Sequence, residues 1–256
     1  MTRRAPVLAV VAVTQAVGAL AALALAVVRG EPFPAISDLG LAVAAGLCGL
    51  VGITSLYRGL AVGRMGVVAP TTGVLSAVIP VAAGFLLEGV PQPAAIAGIA
   101  LAIVAVVLVT RAPGADPDRP SGVEWALLAG LAIGGFNLFV GQFSGTSALG
   151  PLVLIRVVQA TVLAVVILGF RQPWRMPRDV PLKLVGIGLL DMAGNAAFIL
   201  ASQAGALAIA AVLSSLYPVV TVLLAIVVLR EHVTRSHVAG IVLTMLAIAL
   251  IAVGAA

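Results

Sequence analysis

Residues Ala206 to Leu250 read ALAIAAVLSSLYPVVTVLLAIVVLREHVTRSHVAGIVLTMLAIAL. Two apolar runs, Ala206 to Leu229 and Val238 to Leu250, are hinged by the polar turn Arg230-Glu231-His232-Val233-Thr234-Arg235. Each run, with its neighbours, approaches the ~20 residues a helix needs to cross ~30 Å of hydrocarbon. A weaker copy lies upstream. Val68 to Leu87 (VAPTTGVLSAVIPVAAGFLL) leads into Glu88, a proline-bracketed turn and a second apolar run from Ala94 to Thr110. Pairing Glu88 with Glu231 lays Ala69-Pro70-Thr71 over Val212-Leu213-Ser214, and Gly98 and Gly240 follow their glutamates at similar distance. The pattern is that of a duplicated membrane protein.

Composition agrees. Hydrophobic residues make up 62% and charged residues 9% of the chain, with a mean hydropathy of +1.25. A soluble domain carries roughly 25% charged residues, so this chain cannot cover itself with a polar surface. Its net charge of +5 sits mainly in short gaps between apolar runs. No basic stripe with interleaved aromatics exists, which excludes nucleic acid as a partner. Cys48 is the only cysteine, so no internal disulfide forms, and its setting AGLCGLVG suits a small buried apolar residue. Met1-Thr2-Arg3-Arg4 before an apolar run has the opening of a secretory signal. The run from Ala5 to Val28 is too long for one and lacks a small-x-small cleavage site, so it reads as a retained span.

Nine spans can be drawn: Ala5–Val28, Leu39–Leu60, Val67–Leu87, Ala94–Thr110, Val123–Ser144, Leu149–Phe170, Leu182–Ala204, Leu207–Leu229 and Val238–Gly254. Lipid admits only helices or closed barrels, and these runs are too long and too uniformly apolar for barrel strands. The expected fold is therefore an all-α membrane protein of nine transmembrane helices. The one break in composition, Arg111 to Ser121 (RAPGADPDRPS), separates a first repeat over 1–112 from a second over 122–256, with 113–121 as linker. Ser121 with Glu124 three residues on is placed to cap the next helix.

Matching the repeats pairs Leu39–Leu60 with Leu182–Ala204 and Ala5–Val28 with Leu149–Phe170, and sets Gln15 opposite Gln159. Nothing in the first half answers Val123–Ser144. The expectation is a pair of five-helix units with the first helix of repeat one missing, the given chain starting one helix late. Units with an odd number of spans sit in the membrane with opposite orientations, giving an inverted repeat. Of the 14 Lys and Arg, all but Arg29 and Arg156 fall on the side of the N-terminus. The positive-inside rule makes that side cytoplasmic and places Ala256 outside.

Polar groups at membrane depth are costly and therefore informative. Asp191 lies near the middle of LKLVGIGLLDMAGNAAFIL, with Asn195 one turn on along the same face; a charged Asp at a helix centre costs ~2.5–3.5 kcal/mol on insertion scales. It reads as a protonatable coupling site, as a counter-ion for a cation, or as half of an ion pair with Arg156 that merely holds two helices. Arg156 either faces a site or snorkels to the nearer interface. Gln15 and Gln159 are placed for one central cavity, or each glues neighbouring helices through a bond worth about 0.6 kcal/mol on average. Asn137 and Gln142 flank Phe136, Phe139 and Phe143, whose helical spacing favours packing over a ligand box. Tyr57 and Tyr217 are further cavity candidates. Ser214-Ser215-Leu216-Tyr217-Pro218 stands beside a proline kink, as expected of a helix lining a pathway. Trp125 and Trp174 fall near span ends, where interfacial anchoring is usual. Gly59xxxGly63, Gly130xxxGly134 and Gly141xxxGly145 allow close helix approach, though so glycine-rich a chain yields such spacings by chance. Glu88 and Glu231 sit in turns and read as structural. No catalytic motif, metal-ligand cluster or cofactor fingerprint is present.

The repeat resembles the EamA-like family of the drug/metabolite transporter superfamily. The resemblance rests on Ala211 to Val219, the turn Leu229 to Arg235 and Gly240, with a looser counterpart in Val67-Val68-Ala69-Pro70, Ile79-Pro80, Leu87-Glu88 and Gly98. The family's acidic turn typically reads Gly-Glu; here Arg230 precedes Glu231, and Gly89 follows Glu88. The resemblance implies ten helices in two inverted five-helix repeats and a C-terminus in the cytoplasm, whereas four spans are read here before the linker, as expected of a first helix lost or of a chain given from one helix late, and the arginines place the C-terminus outside.

The function expected is a multi-pass secondary transporter of the cell inner membrane, not an enzyme, moving small metabolites or amphipathic compounds outward by alternating access. Asp191, Asn195, Arg156, Gln159, Gln15, Tyr217, Ser214 and Asn137 are the expected substrate-binding residues. Proton coupling would run through Asp191; the partners are a small-molecule substrate and membrane lipid, and no cofactor is called for. The rival readings are a non-transporting or truncated membrane subunit and an intramembrane enzyme on a lipid-linked substrate.

Overall fold

A computed structural model describes residues 6–32, 35–88, 92–111, 120–140, 142–143, 149–177, 180–203 and 235–254. Among them are eight α-helices and one short 3₁₀ turn, and no strand. The helices are α1 (Val7–Arg29), α2 (Leu39–Val62), α3 (Met65–Glu88), α4 (Pro93–Arg111), α5 (Val123–Val140), α6 (Leu149–Gly169), α7 (Val180–Gln203) and α8 (Arg235–Gly254). Eight expected spans coincide with them to within a few residues at most ends. The ninth, Leu207–Leu229, lies outside the described residues, as do Ser214, Tyr217 and Pro218 and the turn before Arg235. Long runs of Val, Leu, Ile and Ala satisfy every backbone group within the segment, which is what hydrocarbon requires.

Five described helices are long and apolar enough to cross a membrane: α1, α2 with its 3₁₀ lead-in, α5, α6 and α7 over Val180–Ala197. Shorter apolar stretches lie in the others, at Gly66–Ser76, Ile96–Ala105 and Val238–Ile251.

Side-chain sizes are distributed inside out relative to a soluble bundle. Ala22, Ala42, Ala45, Ala102, Ala126 and Ala247 are fully buried, while Val28, Leu168, Phe170, Leu182 and Leu190 stand exposed. In a bilayer the hydrophobic effect does not draw large apolar groups inward, so small residues line the helix contacts and let backbones approach. The pair Gly130 and Gly134 illustrates this: a Cβ at either would lie 2.5 Å from the Cβ of Leu75 or Ile79 on α3. Their spacing is therefore a real α5–α3 seam.

The described helices pack side by side. The contacts run α8 to α4, α4 to α3, α3 to α5, α5 to α2, α2 to α6, α6 to α1 and α1 to α7, with further contacts of α3 to α8 and to α2 and of α1 to α2. Ala22 packs near Leu149 and Leu152, and Val11 near Leu163, so α1 and α6 lie antiparallel. α5 begins at Val123, and Ser121 Oγ accepts from the Val123 N–H at 3.4 Å, as a side chain capping that end does; Gly122, at φ +75°, makes the bend.

Candidate functional site

The α1–α6 contact carries the polar cluster. Gln15, on the face of α1 that turns to α6, is 4% exposed; Arg156 and Gln159, one turn apart on α6, are 5% and 3% exposed. Arg156 does not snorkel. It is turned inward and lies against Gly18 on α1, where a Cβ would be in ordinary contact with its Cζ at 3.6 Å. Its Nη1 donates to Gln15 Oε1, and its Nη2 donates to Asp191 Oδ2 on α7 at 2.6 Å. One guanidinium thus ties α6 to α1 and α7 at once.

The pair is unequal. The Arg156 side chain is 7% exposed and that of Asp191 41%, so the cation is committed to the interior while the carboxylate keeps an open side. Among the described residues, neither Arg156 Nε nor Gln159 Oε1 has a hydrogen-bond partner. Buried polar atoms are rarely left unpaired, and both belong to this cluster. The Gln159 amide sits over a notch in α2, where a Cβ on Gly49 would come within 2.5 Å of Nε2 and 3.0 Å of the Phe136 ring. Asn195 shares the Asp191 face but turns its amide back to its own helix, donating to the Asp191 carbonyl at 2.8 Å. Tyr57 on α2 packs against two apolar clusters of this region.

Asn137 is not brought to this cluster. It is exposed on α5 and donates to the Ser76 carbonyl of α3 at 3.4 Å. Phe136, Phe139 and Phe143 pack on Ala42, Ala45 and Ile155 and form core, as their spacing favoured. Trp125 lies 6.0 Å beneath the Arg58 guanidinium. Two grooves open where the arginines collect, one lined by Ala9, Ala164 and Arg171 and the other by Thr54, Arg58 and Trp125. Neither includes Gln15, Arg156, Gln159 or Asp191.

One contact had no sequence reading. Glu31, just past α1, accepts from the Leu149 N–H at 2.9 Å and pairs with Arg29 at 3.4 Å. It caps the start of α6 from the α1–α2 connection, where a carboxylate meets free N–H groups and the positive end of the helix dipole. The signal available was an acid in an acid-poor chain, directly after the Gly30 that ends α1.

The EamA-like transporter family matches residues 1–111 and 120–253. This chain belongs to that family. It is accordingly a membrane transporter of the drug/metabolite superfamily, a multi-pass protein of the cell membrane whose partners are a small-molecule substrate and surrounding lipid. No curated protein matches it. Among solved structures, one titled only "Crystal structure of protein" aligns with a TM-score of 0.67 at 17% identity, covering 98% of this chain and 90% of that one. At that identity the likeness concerns the fold, and it extends over nearly all of this EamA-like chain.

Proposed function

We propose that this EamA-like protein is a secondary transporter, acting as an exporter of small metabolites or amphipathic compounds by alternating access between two inverted units, 1–112 and 122–256. The observation that carries the reading is Arg156, held between Gln15 of the first unit and Asp191 of the second. A buried cation shared by two units ties their relative position to whatever competes for it. A substrate or a proton that displaces the Asp191 carboxylate loosens α7 from α6, and a cycle needs such coupling between occupancy and packing.

The contact pattern supports the inverted arrangement. Exchanging α1 with α6 and α2 with α7 leaves the α1–α6 contact in place and turns the α2–α6 contact into the α7–α1 contact; both are present. α4 and α8, the closing helices of the two units, also pack on each other. The exchange brings Gln15 over Gln159 at the crossing. The central site in this reading comprises Gln15, Arg156, Gln159, Asp191 and Asn195, with Ser214 and Tyr217 contributed from outside the described residues.

The test is flux in proteoliposomes under an imposed pH gradient, comparing the parent with Asp191→Asn. The expected result is that the parent's flux follows the gradient and the variant's does not. Gradient dependence unchanged in Asp191→Asn removes the coupling role. A parent with no flux of any compound that stabilises it in a ligand screen removes the transport reading.

A further inference from the structure

Two helices related in the repeat end in the same way. At the end of α1 the Gly30 N–H donates to the Val27 carbonyl and the Glu31 N–H to the Ala26 carbonyl, with Gly30 at φ +61°. At the end of α6 the Arg171 N–H donates to Leu168 at 3.4 Å and the Gln172 N–H to Ile167 at 2.9 Å, with Arg171 at φ +49°. This closure needs a left-handed residue, which glycine supplies without penalty and any residue with a Cβ only at a cost. Arg171 is the only non-glycine residue with positive φ among those described. An arginine where the backbone calls for glycine points to a use for its side chain.

That side chain lines a groove of about 580 Å³, within the range of roughly 300–1,000 Å³ typical of ligand sites. The groove is lined by Ala9, Ala12, Ala164 and Leu168 together with Arg171, Gln172 and Trp174, which follow the end of α6. Among the described residues, no acidic one lines it. Leu168 and Phe170 beside it are 77% and 74% exposed, as fits a wall facing acyl chains. A neighbouring groove that shares Gln172 holds Arg58.

We propose that this groove binds an anionic phospholipid from the leaflet on the arginine-rich side. One acyl chain lies along the alanine wall, the phosphate meets the Arg171 guanidinium, and the Trp174 indole lies at headgroup level. Guanidinium pairs with phosphate through forked hydrogen bonds, indole favours the interface, and anionic lipid collects where Lys and Arg line the membrane surface. The apolar wall requires a chain as well as a charge, which a soluble anion lacks. The site is independent of the transport reading.

The experiment is thermal unfolding of the purified protein in neutral detergent with phosphatidylglycerol, with phosphatidylcholine of the same chains, or with glycerol phosphate. Phosphatidylglycerol is expected to raise the midpoint and the other two to leave it unchanged. Arg171→Gly should melt above the parent without lipid, because the left-handed strain is gone, yet lose the increment from phosphatidylglycerol. Ala164→Phe, which fills the groove and keeps the cation, should also lose it; Arg171→Gln carries the same expectation should the glycine variant fail to fold. Equal increments from the two phospholipids, or an undiminished increment in the Arg171 variants, would overturn the site.

Discussion

The Arg156–Asp191 pair yields a prediction whose size depends on which partner is removed. Asp191→Leu leaves a guanidinium that is 7% exposed with, among the described residues, Gln15 as its remaining partner and Nε still unpaired. A hydrogen bond to a charged group is worth about 1.5–3 kcal/mol, and breaking a fully buried pair costs about 3–5 kcal/mol. The 41% exposure of Asp191 and the surviving Gln15 contact argue for the lower range, so Asp191→Leu should cost about 1.5–3 kcal/mol. Arg156→Leu should cost less, because the stranded carboxylate already has an open side. The double variant, with no charge left to strand, should be more stable than Asp191→Leu alone. The assay is reversible unfolding by SDS titration in mixed micelles, followed by the fluorescence of Trp125 and Trp174. A coupling between the two substitutions below about 0.5 kcal/mol, the limit for independent sites, would refute the reasoning. So would Arg156→Leu as the more damaging single change.

Glu31→Ala removes the carboxylate that accepts from the Leu149 N–H at 2.9 Å; a loss of about 0.5–2 kcal/mol is expected, as for other helix caps, with amide exchange rising first over 149–152. Gly98→Ala places a Cβ 2.8 Å from both Cγ1 and the backbone nitrogen of Ile251 and 2.9 Å from the Ala247 carbonyl, so α4 and α8 must separate at a cost of about 1–3 kcal/mol. Gly186→Ala, which meets nothing within 4 Å, is the control and should be neutral; equal midpoints for the two alanine variants in the same titration would count against the close α4–α8 packing.

Much of the scaffold was legible because hydrocarbon leaves a chain few options. The apolar runs could only be helices, and their lengths placed most boundaries. The end of α5 and the start of α8 were less clear, since polar flanks there depend on the neighbouring chain. Gln15, Arg156, Gln159 and Asp191 stood out as polar residues at depth, and burial of the first three follows from the same cost. Asn137 stood out equally, yet it serves the α3–α5 seam, because spacing along one helix does not say which neighbour a face meets. Glu31 was passed over for the matching reason: it lies in a connection, and its partner is the first N–H of a helix over a hundred residues away.

Composition and periodicity alone therefore determined that this is a membrane-embedded helical chain, because transfer into lipid depends on residue type and run length. Tertiary structure decided that Arg156 turns inward between α1 and α7, and that Arg171 rather than a glycine closes α6 and lines a groove. Those outcomes depend on which helices lie side by side and how closely, and neighbour identity across a bundle is a property of the packed fold.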